Sequence, residues 1–400
     1  MRKFNLSLLL FLFILTSQCQ VQQPIEVKPE KPEISQQHLL RINGLISQSI
    51  KNKDIPGAVV IIGRKSQVLF SKIYGNSQLV PESSPMQYNM MFDLASLTKP
   101  IATATSVMIL VERGKLHLRE KVKDYIPDFK TFSNEQGDKG DDSRIWHLLT
   151  HTSGLPPYIK DENITPHFGS FCSLKNMVAY IASLDKINLP GEEFHYSCLG
   201  FICLSYIIKQ ITGQNVAEFS RENIFLPLGM NHTLFNPSQE LKEMCVPTEV
   251  TEDLYLKGVV HDPLARTLGG ISGNAGLFST ATDLAKFAQM LLNKGQYNRV
   301  RILSPLGVER MTEIYRYAYF SGRGLGWDLD SVYSSSGGDL FGAHSFGHTG
   351  YTGTSLWIDP ETHIYIILLT NRVHPDDQGS VVSLRSKIAN IAASSLLKIQ

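Results

Sequence analysis

The strand patterns of this chain stand at its two ends, and the helical patterns lie between them. Near the start, Ala58–Ile62 and Val68–Ile73 are apolar, β-branched runs separated by Gly63-Arg64-Lys65-Ser66, which is a hairpin pattern. Near the end, Thr354–Ile358 and Ile364–Thr370 flank a turn at Asp359-Pro360-Glu361-Thr362. A single antiparallel sheet shared by both ends satisfies all four runs. Two amphipathic segments border them. Leu39, Ile42, Leu45, Ile46 and Ile50 recur at helical spacing up to Pro56-Gly57, and Val381, Leu384, Ile388 and Ile391 fall on one face of a final helix. The middle carries apolar helical stretches at residues 101–113, Leu199–Ile211 and Leu284–Leu292. The expected fold class is therefore α+β. Residues 36–90 and 300–400 form an antiparallel sheet flanked by terminal helices, and residues 91–299 form an inserted, mainly helical domain. A cleft between two such parts is the expected ligand site.

The N-terminus is a separate object. Met1-Arg2-Lys3 is a short cationic region, and Leu6–Leu15 is an almost unbroken apolar run, too short for a resident membrane helix and suited to a signal peptide over residues 1–18. Cys19 follows Thr16-Ser17-Gln18 and precedes a polar tail, which resembles the lipidation box of bacterial lipoproteins. The expectation is export to the bacterial cell envelope, with a lipid anchor at Cys19 holding the protein to a membrane; the alternative is cleavage and release as a soluble periplasmic or secreted protein. Residues 19–35, rich in Gln, Pro, Glu and Val, read as a flexible tether.

Charge narrows the partners. The whole chain of 400 residues has a formal net charge of +1, and loss of residues 1–18 leaves 36 basic and 37 acidic residues, or −1. Nothing in that balance favours nucleic acid. With 42% hydrophobic residues the chain is not intrinsically disordered. Cys172, Cys198, Cys203 and Cys245 show no CxxC spacing, so buried free thiols are expected and no metal site.

Three segments carry chemistry. In Ser96-Leu97-Thr98-Lys99, at the start of an apolar helix, Ser96 and Lys99 share a face. A serine hydroxyl needs a proton acceptor, and Lys99 can be one if burial or nearby cations lower its pKa. The helix N-terminus adds free N–H groups where an oxyanion would develop. Tyr196-Ser197-Cys198 precedes the helix Leu199–Ile211; a tyrosine beside two cations can serve as general base and acid. His348-Thr349-Gly350-Tyr351-Thr352-Gly353-Thr354 leads into a strand that can line a cleft, with His348 placed to meet an anionic group. Taken singly, each segment has a plainer reading: a capping serine with a solvated lysine, a core tyrosine, and a Gly-rich turn.

Their order changes the reading. Ser-x-x-Lys, the tyrosine motif and His-Thr-Gly follow one another at intervals of about a hundred and about a hundred and fifty residues. Further stretches accompany them: His147–Pro156 (HLLTHTSGLP), Gly269–Thr280 (GGISGNAGLFST), Gly324-Leu325-Gly326-Trp327 and Asn371–Pro375 (NRVHP). Over roughly residues 36–398 the chain resembles the serine β-lactamase and penicillin-binding protein superfamily, on the branch of class C β-lactamases, D-alanyl-D-alanine carboxypeptidases and related esterases. The resemblance implies a β-lactamase/transpeptidase-like fold and acyl transfer through a covalent acyl-enzyme, with no cofactor and no metal. It implies Ser96 as nucleophile, Lys99 as its proton-handling partner and Tyr196 as base. The N–H groups of Ser96 and Tyr351 would form the oxyanion hole, with Thr349 and His348 lining the strand.

One position departs from the pattern. The tyrosine motif usually ends in Asn, whose amide bonds the lysine and the substrate; here Cys198 is a weak donor and weak acceptor. With His348 in place of the usual lysine, this predicts poor β-lactam hydrolysis. The function expected is an exported serine hydrolase cleaving an ester or peptide-like acyl bond, on a small-molecule or peptidoglycan-like substrate. The alternatives are a D-alanyl-D-alanine carboxypeptidase or weak β-lactamase and, in another class, a non-catalytic envelope protein binding peptidoglycan fragments. Gly270-Ile271-Ser272-Gly273-Asn274 misses a G-x-S-x-G elbow at its last position, and His147, His151, His261 and Asp262 read as structural or loop residues.

Overall fold

The computed structural model describes residues 34–134, 137, 140–250 and 255–398. The expected signal peptide, Cys19 and the tether up to residue 33 lie outside the described residues. The chain enters the fold at its own far end: Ile34 bridges Leu396, and the Ser35 N–H donates to the Ser395 carbonyl at 2.7 Å.

Strands from both ends share one antiparallel sheet of six strands, as their patterns require. Its order is Phe346–Thr349, Ser355–Asp359, Ile364–Leu369, Gly57–Arg64, Gln67–Gln78 and Ser84–Pro85. Gly57–Arg64 is the central seam, pairing Ile61 with Ile367 on one side and with Ser71 on the other. Every residue of that strand is buried, because both faces of the sheet are covered. Ala58, Val60 and Ile62 point with Ile366 and Leu368 into a core closed by the helices Arg41–Lys51 and Val382–Ser394. Val59 and Ile61 point with Ile367 and Leu369 into a larger core on the opposite face. Helix Ala281–Leu292 lies on that face through Leu284, Phe287, Ala288 and Leu291.

The larger core continues into the helical middle of the chain. Helix Cys198–Thr212 runs through it with Phe201, Ile202, Leu204, Ile207 and Ile208 buried, packed by Ile145–Leu149 and Leu174–Ser183. Mean alignment with one face is low here because the helix is apolar nearly all round, as a central helix must be. Among the described residues, no helix is long and apolar enough to cross a membrane. Cys172, Cys203 and Cys245 are buried free thiols and Cys198 is a partly exposed one.

The first hairpin turns later than the pattern suggests. Its strand continues through Gly63 and Arg64, and the reversal falls at Lys65-Ser66, with Lys65 at φ +53°. Gly63 is instead a notch. The ring of Tyr365 crosses it so closely that a Cβ would sit 2.1 Å from Cζ and 2.2 Å from Oη. The Tyr365 hydroxyl accepts a hydrogen bond from Gln289 Nε2 at 3.0 Å, which pins the sheet to helix Ala281–Leu292. Gly63→Ala is expected to destabilise the fold by about 2 kcal/mol, since neither the ring nor the strand can yield without breaking that contact. A lower urea midpoint with unchanged slope checks this.

Candidate active site

Ser96 sits at the end of a short strand. Phe92–Asp93 pairs with Leu277–Ser279, and the chain then turns sharply into the helix. The turn is shaped by Asp93, which is 1% exposed: Oδ1 accepts from the Ala95 N–H at 2.8 Å and Oδ2 from the His261 N–H at 2.6 Å. Ala95 is thereby held at φ +46°, a region a residue with a Cβ rarely adopts. A 3-10 turn, Ala95–Leu97, leads into a π-helical turn, Lys99–Ala104, and then the α-helix Thr105–Glu112. The helix expected at 101–113 thus begins earlier, with irregular turns. Lys99 Nζ donates to Ser96 Oγ at 2.9 Å.

The helix is clamped to the segment 273–277 by three side chains. The Leu277 N–H donates to Thr98 Oγ1 at 3.1 Å, Lys99 Nζ to the Asn274 carbonyl at 3.0 Å, and Thr103 Oγ1 to the Gly273 carbonyl at 2.7 Å. Sequence reasoning had no role for Asn274 here. Its sign in the sequence was its place in the stretch Gly269–Thr280, and the segment packs tightly, since a Cβ on Gly273 would lie 2.0 Å from the Phe201 carbonyl oxygen.

Tyr196 is held by the segment His147–Pro156. The His195 N–H donates to the His151 carbonyl at 3.0 Å, Ser197 Oγ to the Pro156 carbonyl at 2.7 Å, and the Cys198 N–H to the Pro157 carbonyl at 2.9 Å. His151, expected to be merely structural, stacks on the Tyr196 ring with centroids 4.3 Å apart. Its Nδ1 lies against the Ser197 backbone, 3.0 Å from the N–H and 3.1 Å from the carbonyl oxygen. His147 is structural: its Nδ1 accepts from the Arg144 N–H at 2.7 Å and starts the helix Ile145–Leu149. Asp262 caps the helix Pro263–Thr267 and accepts from Tyr158 Oη at 3.1 Å. Lys99 Nζ lies 5.1 Å from the centre of the Tyr196 ring.

The third segment closes the site. His348 is buried at the end of the edge strand and lies 6.0 Å from Tyr196, ring centre to ring centre. Its Nδ1 is 2.8 Å from the Thr349 carbonyl; a carbonyl can only accept, so Nδ1 carries the hydrogen and Nε2 a lone pair. The following turn is tied to the Ser96 segment by Thr352 Oγ1, which donates to the Asp93 carbonyl at 2.7 Å, and by Thr354 Oγ1, which donates to the Leu94 carbonyl at 3.1 Å. Arg385 Nη2 donates to the carbonyls of Gly350 and Thr354 at 2.9 and 2.8 Å. Among the described residues, neither the Ser96 nor the Tyr351 N–H has a protein acceptor. The Tyr351 ring stacks against His261 and lies under the Arg372 guanidinium. A cavity of about 420 Å³ results, lined by Ser96, Tyr196, His348, Thr349, Tyr351 and the half-exposed Tyr333. Lys99 lies against Tyr196 and Cys198 beside Lys99, so the expected site residues that are described converge on one place.

A family profile described as Beta-lactamase matches residues 42–387. An N-acetylmuramyl-L-alanine amidase of Bacillus subtilis (strain 168) is 30% identical over 384 residues, covering 88% of this chain and 85% of that protein. A protein of Escherichia coli (strain K12) named for D-alanyl-D-alanine carboxypeptidase activity is 29% identical over 398 residues, 92% of this chain and 91% of its own. Among solved structures, EstCE1, a hydrolase with promiscuous acyltransferase activity, superposes with a TM-score of 0.71 at 22% identity, over 89% of this chain and 99% of that one. A penicillin-binding protein homologue from Caulobacter crescentus gives 0.69 at 17% identity, over 91% and 99%. At such identities the two structures speak for the fold alone.

The charges of the site differ from what spacing suggests. Burial pulls the Lys99 pKa down, but Cys198, Tyr196 and Asp262 outweigh it and hold Lys99 above the ordinary lysine value, so it rests as an ammonium ion rather than a free amine. Burial raises the Cys198 thiol above its ordinary value, and the nearby Lys99 offsets only part of that. Burial, with Arg323 and Lys99 adding to it, holds His348 well below its ordinary value. The imidazolium considered for binding an anion is therefore absent at neutral pH. His151 is held down by burial, Arg323 and Lys99, and His147 is pushed by burial to about 3. Each of these imidazoles has a folded pKa below the unfolded value of about 6.5, so the unfolded chain binds more protons below that pH. Their stabilisation is complete above about pH 6.5 and falls as the pH drops, by up to about 1.4 kcal/mol per group per pH unit. Urea unfolding is expected to show several kcal/mol less stability at pH 5 than at pH 7, most of it absent when His147, His151 and His348 are replaced by Gln.

Proposed function

Because the chain belongs to the Beta-lactamase family, we propose that it is a serine hydrolase that cleaves an ester or peptide-like acyl bond through an acyl-enzyme on Ser96. The observation that carries this reading is Ser96 Oγ held at 2.9 Å from the Lys99 ammonium, at a helix start where its own N–H has no protein acceptor among the described residues. In the first step Ser96 Oγ bonds to the substrate carbonyl carbon, and its proton passes to Tyr196 Oη, which takes it up as a phenolate paired with the Lys99 ammonium. The negative charge that develops on the carbonyl oxygen is met by the N–H groups of Ser96 and Tyr351. The bond to the leaving group then breaks, and Tyr196 returns the proton to the departing oxygen or nitrogen. Water repeats the sequence on the acyl-enzyme and frees Ser96. Lys99 stays an ammonium throughout and stabilises whichever of the two oxygens has given up the proton.

The substrate class follows from what the wall offers. The neutral His348 and the Cys198 thiol give little hold on a β-lactam carboxylate or amide, which favours an ester or a peptidoglycan-like acyl group over penicillin. Relatives named for an amidase of N-acetylmuramyl-L-alanine and for D-alanyl-D-alanine carboxypeptidase activity support a peptidoglycan-derived substrate. A D-alanyl-D-alanine carboxypeptidase with weak β-lactamase activity is the second reading. The same relatives support an envelope location, and the apolar run before Cys19 supports export with a lipid anchor on that cysteine.

Intact mass after exposure of residues 20–400 to a fluorophosphonate is expected to show a single adduct that Ser96→Ala loses while keeping its melting temperature. An adduct on penicillin as well favours the carboxypeptidase reading, and no adduct with either reagent overturns the proposed chemistry in favour of a binding protein. Independently, Cys19→Ala in the full chain is expected to release the protein from bacterial membranes; undiminished retention rules out that anchor.

A further inference from the structure

We propose that Asn274 positions Lys99 for the proton transfers at Ser96, and that its carboxamide supplies beside Lys99 the amide that Cys198 cannot. The inference rests on the acyl-transfer reading above. A lysine side chain has four rotatable bonds, and one contact to Ser96 Oγ does not aim it. The second contact is the Asn274 carbonyl, 3.0 Å from Nζ, and both groups are completely buried. These two acceptors, with Tyr196 beside them, hold the ammonium in place.

That carbonyl is held from three sides. On the chain before it, the Gly273 carbonyl accepts from Thr103 Oγ1. On the chain after it, the Leu277 N–H donates to Thr98 Oγ1. Its own side chain closes the loop, because Ser272 Oγ donates to Asn274 Oδ1 at 2.6 Å. The carboxamide is thus oriented by a hydroxyl two residues away, and the orientation decides where its two amide hydrogens go.

They go toward Cys198. Asn274 Nδ2 is buried and has no hydrogen-bond partner of good geometry among the described residues. It lies near enough to the Cys198 sulfur to favour that thiol's ionisation, as does Lys99. An unpaired donor in a core is costly unless it serves the site, and a thiol is a weak acceptor for it. The Lys99 ammonium, the Cys198 thiol and the Asn274 amide therefore form one cluster in which Asn274 alone brings strong, oriented hydrogen-bonding groups from a second element.

The test is a double-mutant cycle on turnover of p-nitrophenyl acetate, with fluorophosphonate labelling of Ser96 as control. Asn274→Ala is expected to lower kcat by about 10- to 100-fold with KM changed less than about twofold. In the Cys198→Asn background, where an amide enters the cluster from the tyrosine motif, the same Asn274→Ala change is expected to cost less than about threefold. A wild-type kcat in Asn274→Ala, or equal losses in both backgrounds, overturns the inference. Should Asn274→Ala fail to fold, Ser272→Ala releases only the carboxamide's orientation, and an unchanged kcat there overturns it equally. A wild-type protein that takes no fluorophosphonate removes the acyl-transfer reading and this inference together; a labelled wild type with indifferent variants removes this inference alone.

Discussion

The buried carboxylate of Asp93 is the constraint on which the site is assembled. It bonds two backbone N–H groups from distant parts of the chain, Ala95 and His261, while its own carbonyl accepts from Thr352. One residue therefore joins the nucleophile turn, the loop beside Tyr351 and the turn of the third motif. Burial pushes its carboxyl above the ordinary range, and the two N–H bonds, which favour the ionised form, offset only part of that rise. Removing one partner from such a group leaves the rest buried and unpaired, which is why the arrangement tolerates an unfavourable φ at Ala95.

Electrostatics in the cleft follow from depth rather than from residue type. Lys99, Arg323 and Arg385 are all buried near the site, and Arg323 finds its counter-charge in Asp328, 3.3 Å away. With cations already fixed there, a further positive charge on His348 or His151 is unfavourable, and both imidazoles remain neutral. The third motif therefore presents backbone groups and a hydroxyl from Thr349, not a charge. The resting cation of the mechanism is Lys99 alone among the three motif residues.

Much of this was legible in the residues. The shared sheet and its terminal helices follow from periods of two and of three to four at the ends of the chain, and Ser96, Lys99, Tyr196, His348 and Tyr351 stand out through their motifs. Two kinds of contribution did not. Ala95 and His151 act through backbone angles of φ +46° and +59°, which no alternation of apolar and polar residues reports. Asn274 acts on Lys99 through a carbonyl, which every residue carries, from 175 positions away. The charge of Lys99 was equally hidden, because a spacing of three gives a contact but not the neighbours from distant segments, Cys198, Tyr196 and Asp262, that outweigh its burial.

The closure of the chain on itself has a mechanical side. Ile34 is paired with Leu396 and Ser35 with Ser395, directly after the helix Val382–Ser394. Tension applied at Ile34 enters the fold through the end of that helix, by shear along two backbone contacts rather than by peeling the sheet. The same helix bears Arg385, whose guanidinium holds the carbonyls of Gly350 and Thr354 on either side of Tyr351. The load path from the N-terminal end of the folded body thus leads, through a single rigid rod, to the turn that carries the Tyr351 N–H.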